Sequence, residues 1–327
     1  MRKTGSALTG PIAVAMLLAA AGAMAAESYP DRPLRLIVAF TPGGSLDLTA
    51  RLIAQRLTDS LGQPVIVDNR PGAGGLTGSD MVAKATPDGY TLLMASGSNA
   101  VNVALYPKAT HHFGRDFSAI TQAVSNAYLL TAVPTLPANS VKELIALARA
   151  RPGQLNYGSS GTGGLPHLAG ELFKSMTGVT MTHVPYKGAA PAPAIIDLIA
   201  GRVEIMFNAL PLQLPHVKSG KLKALAVTTL RRAEVLPDVP TAAESGVPGY
   251  DLNGWYGVVA PLRTSAAVAT KLNLEIVRIL ALPDVREKLK AEGSDPVGSS
   301  PEQFAAVIRA DIDKWVRLTR AANIKLE

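Results

Sequence analysis

The sequence predicts an α/β protein of two domains with a mainly parallel sheet, and three observations carry that expectation. Short apolar runs alternate with helix-like stretches along most of the 327 residues. Roughly 300 of them would remain after removal of a leader, enough for two domains of ordinary size. Two glycine-rich turns, TPGGSLD at Thr41–Asp47 and YGSSGTGG at Tyr157–Gly164, each follow a strand-like run and open a helix. Such turns present free backbone N–H groups at the positive end of a helix dipole, so the pair predicts an anion, most simply a carboxylate, gripped from two sides.

The elements follow in order. Residues 1–25 read as a cleaved signal peptide: Arg2 and Lys3 form a basic start, Ile12–Ala21 an apolar stretch too short for a comfortable membrane span, and Ala23-Met24-Ala25 a cleavage site, so the mature chain is expected to begin at Ala26 in the periplasm. Strands are expected at Leu34–Phe40, Val65–Val67, Thr91–Ala95, Tyr128–Val133, Thr182–Val184, Val203–Phe207, Leu222–Thr228 and Tyr256–Ala260. The first helix places Leu46, Ala50, Ile53, Ala54, Leu57 and Leu61 on one face and stops at Gly62 and Pro64. A second opens at Ser140 with Glu143 as a capping box. A third runs from about Pro166 to Met176, burying Leu168, Leu172, Phe173 and Met176, and ends at Gly178. The last opens at Ser300-Pro301 with Gln303 and presents Phe304, Ile308, Ile312, Trp315 and Val316 on one side. No Pro/Gly/Ser linker divides the chain, which predicts repeated crossings between domains, at Phe117–Ser125 and Leu222–Arg231. The expected division is residues 26–124 with 229–327 as one domain and 125–228 as the other.

Composition narrows the function. With no cysteine there is no disulfide, thiolate metal site, cysteine nucleophile or acylated lipoprotein anchor. The formal charge of +7 falls to +5 once Arg2 and Lys3 leave with the leader, and the remaining basic residues are scattered, so nucleic acid is not an expected partner. His111-His112, His183 and His216 form no ligand cluster, and neither a metal nor a cofactor is expected.

The segments FTPGGSLDLTARLIAQRL, VIVDNRPGAGGLTGSDMVAKATPDGYTLLM, LNYGSSGTGGLPHLAGELF, HVPYKGAAPAPAIIDLIAGRVEIMF, LPDVPTAAESGVPGY and GWYGVVAP resemble, in order and over essentially the whole mature chain, the Bug family, also called TctC. These are extracytoplasmic receptors of tripartite tricarboxylate transporters. The resemblance implies a type II periplasmic-binding-protein fold, two α/β domains with a ligand cleft between them, and a membrane partner of one large and one small subunit. It implies a small carboxylate as ligand, bound by main-chain groups and ordered waters. Carried over by position, the first loop is Pro42, Gly43, Gly44 and Asp47; the second is Ser159, Ser160, Gly161, Thr162 and Gly163 with His167 just inside the helix. Thr41 departs from the family, where many relatives carry a second proline, so the loop is less stiff on that side.

The residues themselves keep simpler readings open. Gly43 and Gly44 allow close backbone approach, or serve an ordinary strand-to-helix turn. Asp47 would repel an anion unless it caps the helix, aligns the loop amides or accepts from a ligand donor or bridging water. In the second loop hydroxyls alternate with glycines; the P-loop, nucleophile-elbow and dinucleotide patterns all fail on spacing. His167 either donates to the ligand or packs locally. Ser96 and Asn99 end a strand at the carboxyl edge where α/β sheets bind ligands, Tyr186-Lys187-Gly188 offers a closing segment with Lys187 as charge complement, and Asn208 is placed similarly. Asn69–Gly75 reads as a packed connection, and Trp255 and Tyr256 as core or cleft lining. The leading expectation is a monomeric carboxylate-binding receptor and not an enzyme. An exported hydrolase using Ser159 or Ser160 and a receptor for a membrane sensor are the alternatives.

Overall fold

A computed structural model describes residues 29–186 and 191–321. The expected leader, residues 1–25, and the segment holding Lys187 and Gly188 lie outside the described residues. The chain begins β1 (Leu34–Val38), α1 (Ser45–Leu61), β2 (Val65–Asn69), a single turn at Ala73–Gly75 running into α2 (Leu76–Ala83), β3 (Thr91–Ser96) and α3 (Gly97–Leu105). β1 pairs in parallel with β2 and with β3, as expected of strands joined by helices. α1 forms as its pattern predicts: Leu46, Ala50, Ile53, Ala54 and Leu57 are buried, and Gly62, at φ 68°, returns its N–H to Thr58 O and ends the helix.

β4 (Phe117–Ala132) is one strand of 16 residues. Its first part, Phe117–Ala127, pairs with β9, and its last part, Tyr128–Ala132, pairs with β7. The expected strand Tyr128–Val133 is therefore the far end of a strand that runs through both sheets. The second sheet follows: α4 (Val141–Ala150), β5 (Asn156–Ser159), α5 (Leu165–Thr177), β6 (Thr182–Pro185), α6 (Pro191–Ile199), β7 (Ile205–Ala209), α7 (Leu210–Lys218) and β8 (Lys223–Val227). At the start of α4 the Glu143 amide donates to Ser140 Oγ, while Glu143 Oε2 accepts from Asn139 rather than from Ser140. In α5, Leu168, Leu172 and Phe173 are buried, but Met176 is 40% exposed at the last turn, against expectation. The chain then returns through β9 (Asn253–Pro261), α8 (Ala266–Ala281), α9 (Pro283–Ala291), β10 (Ser294–Pro296) and α10 (Pro301–Ala321). α10 opens with the expected reciprocal cap between Ser300 and Gln303 and buries Phe304, Ile308, Ile312 and Trp315.

The strand order is β2-β1-β3-β9-β4-β7-β5-β6, with β8 and β10 also on β4. The sheet is mixed rather than mainly parallel. β5 is parallel to β6 and β7, whereas β9 runs antiparallel to β3 and β4, and β4 antiparallel to β7, β8 and β10. A strand that passes straight from one sheet into the next is not placed by a βαβ crossover, so the parallel rule does not govern it. The return from β8 is fixed by Thr228, whose Oγ1 accepts the Tyr128 amide and donates to Leu252 O. Among the described residues no helix is long and apolar enough to cross a membrane.

Candidate functional site

The carboxyl ends of β1 and β3 and the loops that leave them meet the β5–α5 loop of the second sheet. In the first loop Gly43 takes φ 84°, open to glycine at no steric cost. Its amide donates to Asp47 Oδ2 at 3.0 Å, so that N–H is spent within the loop. Asp47, 2% exposed, also accepts from Arg51 Nε at 2.9 Å and from Asn69 Nδ2 at 2.9 Å. Burial alone would raise its carboxyl pKa, but the hydrogen bonds from Arg51, Gly43 and Asn69 outweigh that and hold it below the usual value. Asp47 is thus a buried anchor of the loop.

Gly44 and Ser45 then face a cavity of about 70 Å³ with Thr41, Ser96, Ser98, Tyr128, Leu212 and Tyr256 around it. Ser45 Oγ lies 2.5 Å from Tyr256 Oη, a contact the sequence reading missed because 211 residues separate the two. Burial pushes the Tyr256 phenol up to about 12, so it stays protonated. Trp255 belongs to the core, its indole bonded to Asp311 Oδ2 at 2.9 Å. Neighbours on a strand face opposite sides, and here one faces the cleft and the other the core. Ser96 lines the cavity, whereas Asn99 caps α3, accepting the Ser96 amide at 2.8 Å and donating to Ser79 Oγ at 2.8 Å. Ser98 Oγ reaches across to accept the Leu165 amide at 3.3 Å, which joins the start of α3 to the start of α5.

A second cavity of about 300 Å³, also bordered by Phe40, lies between Gly72–Gly75 and the loop Ser160, Gly161, Thr162 and Gly164. Asn69–Gly75, read from sequence as a packed connection, thus contributes a wall. The signal was its glycines: Gly72, Gly74 and Gly75 all have positive φ, and a Cβ on Gly74 would stand 3.5 Å from Tyr106 Oη and 3.9 Å from Thr162 O. Nearby Asn102 donates to Gly74 O at 3.0 Å, and its buried Oδ1 has no partner among the described residues.

Within the second loop the odd-numbered groups turn inward. Ser159 is fully buried; its Oγ accepts the Gly161 amide at 3.2 Å, contacts Gly161 O at 3.1 Å and lies 2.7 Å from His183 Nε2. His167 is buried and its Nδ1 accepts the Gly163 amide at 3.3 Å, leaving Ser160 and Thr162 toward the cavity. Asn208 is buried beside Met206, its Oδ1 accepting the Ala209 amide at 2.9 Å, and it lines neither cavity.

The Ser159–His183 pair invites comparison with an activated nucleophile. A hydroxyl has one proton and two lone pairs. One lone pair takes the Gly161 amide, while the single proton has two acceptors in reach, Gly161 O at 3.1 Å and His183 Nε2 at 2.7 Å, so the histidine tautomer sets which of Ser159 and His183 donates. Among the described residues no three His, Cys, Asp or Glu side chains are grouped to hold a metal. A larger cavity of about 740 Å³, lined by Arg231, Lys290 and Asp295 among others, lies apart from both loops.

This architecture has relatives. The profile described as the tripartite tricarboxylate transporter family receptor, TctC, matches residues 49–324. Protein BugT of Bordetella pertussis is 38% identical over 319 residues, covering 96% of this chain and 97% of its own. The R. palustris structure solved with adipate superposes with a TM-score of 0.86 at 39% identity, covering 91% of this chain and 99% of its own. MatC from Rhodopseudomonas palustris with bound malate gives 0.83 at 32% identity, with 89% and 99% covered. The chain belongs to the TctC, or Bug, family and is a periplasmic solute-binding receptor of the two-domain α/β type.

Proposed function

We propose that the protein captures a small organic mono- or dicarboxylate in the cleft between its two lobes and delivers it to the large and small membrane subunits of a tripartite transporter. The observation that carries this reading is the facing of three glycine-rich turns, at Thr41–Asp47, Gly72–Gly75 and Ser160–Gly164, across two neighbouring cavities that share Phe40. Their walls offer backbone N–H and hydroxyl donors at the starts of α1 and α5, the arrangement that favours an anion without a fixed countercharge. That relatives were solved with adipate and with malate, both dicarboxylates, supports the ligand class.

Pro42, Gly43, Gly44, Asp47, Ser96 and Asn99 make up one side of the proposed site and Ser159–Gly163, His167 and Asn208 the other. In each group some members contact ligand and others set the loop. Lys187 and Gly188 would close over a second acid group. We take residues 26–124 with 229–327 as one domain, 125–228 as the other, and residues 1–25 as the leader that takes a monomeric receptor to the periplasm. The function is binding and not catalysis, in keeping with the full burial of Ser159 beneath its loop.

Thermal shift over a panel of organic acids that includes adipate and malate, followed by calorimetry, tests the reading. A ligand that binds only the folded chain raises the melting temperature by mass action. No shift with any acid of the panel would overturn it.

A further inference from the structure

Beneath the second glycine-rich loop lies a stack of three rings. Tyr157 stacks on His183 with 4.9 Å between centroids, and His183 stacks on His167 with 4.1 Å. The parallel register of β5 on β6 sets Tyr157 opposite His183, and the first turn of α5 supplies His167. The two imidazoles hold the loop at its two ends. His183 Nε2 bonds Ser159 Oγ, which accepts the Gly161 amide; His167 Nδ1 accepts the Gly163 amide. Gly161 and Gly163 meet these partners at φ 125° and 81°, conformations that turn both amides inward and leave Ser160 and Thr162 lining the cavity.

We propose that His167 and His183 are positioning residues: they hold the Gly161 and Gly163 amides inward, and so present Ser160 and Thr162 to a ligand carboxylate, only while both rings are uncharged. The proposal rests on the carboxylate reading above and concerns what shapes its second loop. A lone pair on His167 Nδ1 is the acceptor for Gly163. A proton placed there would set N–H against N–H, and the loop would have to move. A proton added to His183 would set its charge against the stacked His167 ring.

The surroundings keep both rings neutral. Burial, then the proximity of His167 and Lys174, lowers His183 to about 3, and burial lowers His167 against the opposing pull of Glu171. Among the described residues the titratable groups facing the stack are Glu171 and Lys174 of α5 and Tyr157 of β5. Glu171 is itself bound by Tyr157 Oη at 2.5 Å and Lys174 Nζ at 2.7 Å. A histidine whose pKa is depressed in the ordered loop takes up protons more readily when the loop is released. The ordered form therefore loses stability, and ligand affinity falls, as pH drops below about 6.5.

The test uses adipate as probe, titrated calorimetrically into the whole mature chain at about pH 7.5 and about pH 5.5. His167→Leu should weaken binding about tenfold or more at both pH values, whereas His167→Asn, whose Oδ1 replaces Nδ1 and takes no proton, should stay within about threefold of wild type at the higher pH. At the lower pH His167→Asn should lose less affinity than wild type, a comparison from which protonation of adipate itself cancels. His183→Gln, whose amide can donate to or accept from Ser159, should bind better than His183→Leu. Amide exchange of Gly161 and Gly163 in the unliganded protein should be slow in wild type and fast in the two leucine variants. Folded leucine variants that bind adipate like wild type, or keep both amides protected, would overturn the proposal. If His167→Leu does not fold, an acid loss in His167→Asn equal to that of wild type overturns it. Exchange that responds to the histidines in a protein that binds no acid would uphold the positioning role and sink only the carboxylate assignment.

Discussion

The carboxylate of Asp47 accepts the backbone N–H of Gly43 at 3.0 Å, so the acid that sits beside a proposed anion site is the anchor of the loop. It gathers the amide of its own loop, the guanidinium of Arg51 and the side-chain amide of Asn69 at the end of β2. Asp47→Asn puts an NH₂ where three donors converge and should cost about 1–3 kcal/mol of stability at neutral pH. The carboxyl pKa is lowered on folding, so its contribution is present above the unfolded value of about 3.9 and is lost as pH falls through the folded one. Denaturant melts of wild type and variant should draw together as the pH falls through the lowered pKa of the folded carboxyl; a gap that persists at the acid end would show that the role is steric.

Gly43 and Gly44 look alike in sequence and should fail differently. Gly44 has φ −78° and ψ 162°, which valine adopts readily, and it lines the small cavity. Gly44→Val should melt near wild type and lose ligand affinity at least about tenfold. Gly43 has φ 84°, and a Cβ placed on it would meet nothing within 4 Å. Gly43→Ala should therefore cost about 1–2 kcal/mol through backbone conformation alone. A folded Gly44→Val that binds in calorimetry like wild type would remove the first loop from the site.

The two lobes should close on ligand by bending where the chain crosses between them. β4 passes from one sheet to the other at Ala127 and Tyr128, and Leu252 returns beside it through Thr228. The Ser98–Leu165 hydrogen bond joins α3 to α5 across the cleft, so Ser98→Ala should weaken the closed form and lower affinity about threefold to tenfold. Small-angle scattering should shift to a more compact profile with saturating ligand; superimposable profiles would identify a rigid receptor.

What the sequence made legible was local. The loops at Thr41–Asp47 and Tyr157–Gly164 announce themselves because a strand, a glycine at positive φ and a helix start must follow one another directly. α1 and α10 were readable from one apolar face and their caps. The unread parts depend on partners far along the chain. In β4 the polar residues Thr121 and Asn126 are fully buried, Asn126 because Ser294 of β10 donates to it at 2.6 Å, so their pattern resembles a loop until those partners are known. His183 looked isolated because its bond to Ser159 spans 24 residues and a parallel strand pair. Gly72–Gly75 became a cleft wall only when the second lobe was set opposite.

Charge supplies the last prediction. None of the three glycine-rich turns contains an arginine, and the two beside them, Arg51 and Arg70, are bonded to Asp47 and Asp68. Recognition of a single carboxylate should therefore rest on N–H and hydroxyl donors and on bridging water. Fixed backbone dipoles inside a cleft are screened far less than exposed ion pairs, so raising the salt should weaken monocarboxylate binding only modestly. Lys187→Ala should leave a monocarboxylate nearly unaffected and weaken a dicarboxylate, since only the second has a charge remaining for the lysine to meet. Calorimetric titration of both ligand types at low and high salt separates the cases. A steep salt dependence for the monocarboxylate, or its loss in Lys187→Ala, would show that an ion pair and not the loops carries the recognition.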